Sequence, residues 1–206
     1  MTLARIVSWV FHPLLLATYL FSLFTLLLPA GLDPISQDGQ LKFIFLIFCV
    51  TFALPALNIF LFKALGTISS VTLESRRERM IPFTFVAILY ILITWLLYSR
   101  TRISINDNLL KFLVIIDVLV VMATIITFFY KVSVHAMAVW AFIGILLPLN
   151  KISEEGKLFG PTLIAILLAG VIMSARLQLN AHTPREVMVG AITGLLLSFG
   201  GMMVLF

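Results

Sequence analysis

The sequence is poor in charge and almost without cysteine. Of its 206 residues only 11% are Asp, Glu, Lys or Arg, against 62% apolar. A soluble domain runs near a quarter charged and half apolar, and a chain of this length cannot bury so much apolar surface within itself. A water-soluble fold is therefore excluded, and the bilayer must solvate the outside. The single cysteine, Cys49, lies in an apolar run, which excludes a disulfide framework and leaves the redox compartment unread. There is no Cys/His spacing suited to a metal, no glycine-rich phosphate cradle and no nucleophile elbow. Nor is there an Asp-rich run of the kind that holds magnesium and a diphosphate in prenyl transfer. The net charge of +5 comes without a basic stripe interleaved with aromatics, which argues against nucleic acid as a partner. In a membrane chain such charge is topological or matched to anionic headgroups.

What is present is a series of apolar runs, each about 20 residues long, the length that crosses a bilayer as a helix. They predict about seven spans: roughly 3–29, 41–65 with a kink at Pro55, 81–98, 109–130, 133–149, 161–179 and 183–206. The first lacks a small-residue cleavage site and is too long for a signal-peptide core, so it reads as a retained span. The runs do not alternate as barrel strands do, and only helices or closed barrels satisfy backbone groups in lipid. The fold class expected is all-α: a polytopic transmembrane helical bundle of six to seven spans forming one domain over 1–206. The length leaves no room for a separate soluble module.

Polar residues are costly in such a chain and carry most of its information. Numbered in order, the second link holds Glu74 to Arg79 with Arg76, Arg77 and Arg79; the fourth holds Lys131, Ser133 and His135; the sixth holds Arg176, His182, Arg185 and Glu186. Alternate links share a membrane face, so these three converge. The odd-numbered links hold Asp33 and Asp38, Arg100 and Arg102, and Glu154 and Glu155. The cations of the convergent face suit a phosphate group. Its two histidines can act as nucleophile and general acid. Glu186 follows His182 by one helical turn, where it can hold one ring nitrogen and leave the other to attack. The start of the seventh helix favours an anion nearby.

At this point the residues resemble a known family. Arg176, five residues, His182, three residues and Glu186 is similar to the third signature of the type 2 phosphatidic acid phosphatases, whose superfamily includes the vanadium-dependent haloperoxidases. Val132-Ser133-Val134-His135 resembles the second signature, Pro-Ser-Gly-His, and Arg79 with Pro82 resembles the Arg-Pro that closes the first. The three occur in the family's order. The chain departs from the pattern in several places: Thr72 stands where the first signature has lysine, so Arg76 or Lys131 would substitute. Valines replace the Pro and Gly of the second signature, and Ala175 parts Ser174 from Arg176. Glu186 replaces the usual Asp, and two spans separate the first and second signatures.

The resemblance implies a metal-independent lipid phosphatase with no cofactor. His182 would attack phosphorus and form a phosphohistidine, Glu186 would orient it, and His135 would protonate the leaving alkoxide. Arg79, Ser133, Arg176 and Lys131, with Arg76, would hold the phosphoryl oxygens. Phosphatidic acid, phosphatidylglycerol phosphate, an isoprenoid diphosphate or a phosphorylated glycolipid would be substrates. The resemblance also implies a bacterial inner membrane with the site on its extracytoplasmic face. The charges do not decide that face, since the basic residues outside the site divide almost evenly between the two sides. Blander readings stand beside these. His182 and Glu186 can be a satisfied helix-start pair, His135 an interfacial histidine, Arg176 a snorkelling anchor, and Arg76 and Arg77 topological anchors. Asp117, near the middle of the fourth span, favours a structural role over a proton relay, and His12 beside Pro13 favours packing. The rival function is an anionic-lipid binding or transport protein that uses the same basic face without turnover.

Overall fold

The computed structural model describes residues 3–73, 75–101, 103–152 and 156–206. Glu74, Arg102, Glu154 and Glu155 lie outside the described residues. The described residues form helices and no strand: α1 (Leu3–Val10), α2 (Pro13–Leu27), α3 (Gln37–Phe48), α4 (Leu54–Ala64), α5 (Arg76–Arg100), α6 (Asn108–Phe129), α7 (Val134–Ile152), α8 (Phe159–Gln178) and α9 (Pro184–Leu205). Six stretches are long and apolar enough to cross a membrane, with α3 and α4 joined as one, and a seventh if α1 and α2 count together. The chain is thus an integral membrane protein built of transmembrane helices.

Two differences from the expected spans have local causes. The first run is not one helix. It is bent by 59° between α1 and α2, where Pro13 opens α2 and disfavours helical backbone at His12 before it. In the second run a π-turn over Cys49–Ala53 replaces a simple kink. Pro55 has no N–H to offer the carbonyl one turn back, and its ring crowds that carbonyl. The backbone widens there, and the Leu54 N–H bonds to the Cys49 carbonyl. The Thr51 carbonyl, which Pro55 leaves without its helical donor, accepts the Tyr90 hydroxyl at 3.2 Å.

The contacts gather into two compact units. The first comprises residues 1–16 and 132–206, and so holds α1, α7, α8 and α9. The closest helix pair in it is α7 with α9. A Cβ on Gly190 would stand 2.5 Å from the Ser133 carbonyl oxygen, and one on Gly194 would stand 2.0 Å from that of Met137. Only hydrogen fits, which lets the two backbones touch as small residues allow in membranes. On α8 the buried face is Thr162, Ala165, Ala169, Ile172 and Ala175, and α1 turns Ala4 and Ser8 inward. The second unit, 17–131, holds most of α2 together with α3 to α6. Phe21, Phe24, Phe43 and Phe112 pack there ring to ring.

Candidate active site

The centre of the site is a helix-to-helix turn whose shape is written in its own residues. α8 ends at Gln178, and Asn180 then takes a left-handed backbone conformation, φ 50°. Asparagine tolerates this better than most residues. The Ala181 N–H bonds to the Arg176 carbonyl (3.2 Å) and the Asn180 N–H to that of Leu177 (2.9 Å), the paired bonds of a Schellman ending. Three residues later α9 starts. Thr183 caps it, with its hydroxyl accepting from the Glu186 N–H at 3.3 Å, and Pro184 stands in its first turn. The Glu186 carboxylate reaches back to the Thr183 N–H at 3.3 Å, which completes a capping box. These two local devices hold Arg176 and His182 on either side of one tight turn.

The same carboxylate oxygen of Glu186 lies 2.7 Å from His182 Nδ1. A carboxylate only accepts, so the ring proton sits on Nδ1 and the lone pair on Nε2. Glutamate rather than aspartate now has a physical reason. The capping box needs a side chain long enough to return to the N-cap N–H, and here that reach also brings the oxygen onto the imidazole. The His182 side chain is 1% exposed and that of Glu186 14%, so little water competes for the bond.

Ser133 and His135 come to this turn through the close contact of α7 with α9. The Ser133 N–H donates to the Glu186 carbonyl at 3.2 Å, which ties the start of α7 to the first turn of α9. Ser133 is fully buried and its hydroxyl accepts from the Ala136 N–H at 3.4 Å. Val187, one helical position after Glu186, packs with Ala136 and Ala191. His135 is buried, with Nε2 3.2 Å from the backbone carbonyl of Ser8. Arg176 donates from Nη1 to the Ser8 hydroxyl at 3.1 Å, and its buried Nε has no hydrogen-bond partner. The His12 ring meets the His135 ring edge to face, centroids 5.6 Å apart. The packing expected for His12 is thus packing against a site residue.

Five of the eight expected site residues, Ser133, His135, Arg176, His182 and Glu186, therefore share the first unit. Ser8 and His12 join them. Ser8 carries no signal in the sequence beyond being a hydroxyl in an apolar run. Arg76 and Arg79 belong to the second unit and serve backbone there. Arg79 is buried in the first turn of α5, where its Nε donates to the Leu73 carbonyl at 2.7 Å, beside a left-handed Leu73, φ 49°. Arg76 donates to the Phe128 carbonyl at the end of α6. Lys131 is half-buried at the last position of that unit. Asp117 accepts a hydrogen bond from Thr94 and lines a cavity with Thr51 and Tyr90, within the same unit. Among the described residues no group of three or more His, Cys, Asp or Glu is gathered as a metal ion would need.

An imidazole with a carboxylate on one nitrogen, an arginine one turn away with an unused donor, a second imidazole and a buried serine can bind a phosphoryl group and attack it. Family models, curated proteins and solved structures offer no match to this chain.

Proposed function

We propose that the first unit is a metal-independent lipid phosphate phosphatase site of the type 2 phosphatidic acid phosphatase kind. The observation that carries this reading is the His182–Glu186 contact at 2.7 Å, in the same unit as a buried Arg176 Nε with no partner. A buried donor left unmade is costly, on the order of 1–3 kcal/mol, and an anion at that position would satisfy it. His182 Nε2 attacks phosphorus; a P–N bond forms as the P–O bond to the lipid breaks. Glu186 stabilises the positive charge that grows on the ring. The leaving alkoxide takes a proton from doubly protonated His135. The phosphoryl dianion supplies the counter-charge that an imidazolium needs beside Arg176. Water then cleaves the P–N bond, returns a proton to His135 and releases phosphate.

A membrane lipid bearing a phosphomonoester or diphosphate suits a site at the ends of apolar helices. The proposed setting is a bacterial inner membrane, with the site on the extracytoplasmic face. Binding without turnover is the competing function, and the capping box favours it to one extent: it gives Glu186 a structural reason to exist. The experiment is phosphate release from a panel of lipid phosphates in detergent, native protein against His182→Ala. The expected loss is at least about 10³-fold, as for removal of a covalent nucleophile, in a variant that stays monodisperse. Absence of release by well-folded native protein would favour binding or transport.

A further inference from the structure

Ser8 touches the site twice. Its hydroxyl oxygen accepts from Arg176 Nη1 at 3.1 Å, and its backbone carbonyl faces His135 Nε2 at 3.2 Å. The residue is only 7% exposed and sits on the inward side of α1 with Ala4, against α8. The other side of α1 exposes Leu3, Ile6, Trp9 and Val10. An apolar anchor has no need of a hydroxyl on its buried side.

The two contacts have chemical consequences. A guanidinium carries several donors and no acceptor, so a hydroxyl acceptor on Nη1 fixes the plane of the Arg176 fork. That orientation decides where the unpartnered Nε points. A carbonyl cannot donate, so the contact with His135 requires the proton on Nε2. Nε2 then keeps its proton in both the neutral and the charged ring, and Nδ1 is the nitrogen that gains and loses one.

We propose that Ser8 is a positioning residue of the site: its hydroxyl aims the Arg176 guanidinium at the phosphoryl oxygens. This rests on the phosphatase reading above. In the transfer step doubly protonated His135 gives the Nδ1 proton to the lipid alkoxide as the P–O bond breaks. It is left as the Nε2–H form, still bonded to the Ser8 carbonyl.

The role of the hydroxyl is tested with Ser8→Ala, Ser8→Cys and Ser8→Thr, each alone and with Arg176→Gln, in the whole chain in detergent. KM and kcat for lipid phosphate release are measured, together with inhibition by inorganic phosphate. Loss of one hydrogen bond to a charged group predicts a rise of about tenfold in KM and in the phosphate inhibition constant for Ser8→Ala. The isosteric Ser8→Cys moves the same way, Ser8→Thr restores both, and kcat changes less than KM. In the Arg176→Gln background Ser8→Ala adds less than about twofold, because coupled residues are not additive. Native-like constants in both Ser8→Ala and Ser8→Cys overturn the proposal while leaving the phosphatase reading intact. So does an equal loss in both Arg176 backgrounds, which would mark Ser8 as a general packing residue. A native protein that neither releases lipid phosphate nor binds inorganic phosphate overturns both readings together.

Discussion

Glu186 serves two structures with one oxygen, bonding the Thr183 N–H at 3.3 Å and His182 Nδ1 at 2.7 Å. The two roles come apart by substitution. Glutamine keeps the length and can still accept from the N-cap N–H, but it carries no charge to balance the imidazolium. Glu186→Gln is therefore expected to retain the native melting temperature within a few degrees and to lose on the order of 10⁴-fold in kcat, as when a histidine's carboxylate partner becomes an amide. Measured side by side, a melting curve and a turnover assay separate the capping role from the proposed catalytic one. A Glu186→Gln protein with native kcat would leave the capping box as the whole role of this residue. At the same scale the arginines of the second link divide from the rest. Arg79 Nε bonds the Leu73 carbonyl and Arg76 the Phe128 carbonyl, so each has a structural partner within its own unit.

Among the elements, the α7–α9 pair sets the candidate site, because Ser133 and His135 stand at the entry and first turn of α7 and His182 and Glu186 at the entry and first turn of α9. A methyl at position 194 would stand 2.0 Å from the Met137 carbonyl oxygen, and backbone cannot swing aside as a side chain can. Gly194→Ala is expected to cost about 2–3 kcal/mol as an overpacked contact, seen as a lower midpoint in thermal unfolding. Phosphate release should fall with it. Gly200→Ala, where nothing lies within 4 Å, is the control and should leave the midpoint unchanged or slightly raised. A different device governs α3 and α4. Tyr90→Phe strips the Thr51 carbonyl of its donor at a cost of about 1–3 kcal/mol. Pro55→Ala restores a backbone N–H one turn on. The double variant should therefore be more stable than Tyr90→Phe alone, as a double-mutant cycle in thermal unfolding would show. Additive losses would mean that the proline does not cause the π-turn.

For the whole molecule the quantity to measure is the membrane face of the proposed site. If each long apolar helix crosses once, the links before α7 and before α9 share a face whether or not the bent α1–α2 pair crosses the bilayer. Their common face therefore does not depend on that pair. If each long apolar helix crosses once, a cysteine at exposed Ser36 is expected on the opposite side from one at exposed Arg185. In a Cys49→Ser background, a membrane-impermeant maleimide added to intact cells should label Arg185→Cys and spare Ser36→Cys until the membrane is opened. Labelling of Ser36→Cys from outside would place the site on the cytoplasmic face.

Short-range physics made much of this protein legible in its sequence. Run length and missing charge determine that it lives in a membrane as helices. The sequence puts Glu186 one turn after His182, but in the structure His182 precedes the cap Thr183, outside α9, and their contact arises because the capping carboxylate reaches back to both. Pro55 marked a break, although only the backbone geometry showed that the break is a π-turn. The pairing of Gly190 and Gly194 with the α7 backbone left a readable trace, small residues four apart, without naming the helix they would meet. Ser8 left none. It stands 127 positions from His135, and no periodicity or charge marks it among its apolar neighbours. Its place beside Arg176 and His135 exists only because α1 folds back onto α8 after a bend of 59°. The tertiary structure decided that contact, since it depends on which helices pack together, and hydrophobic burial in lipid is blind to the partner it selects.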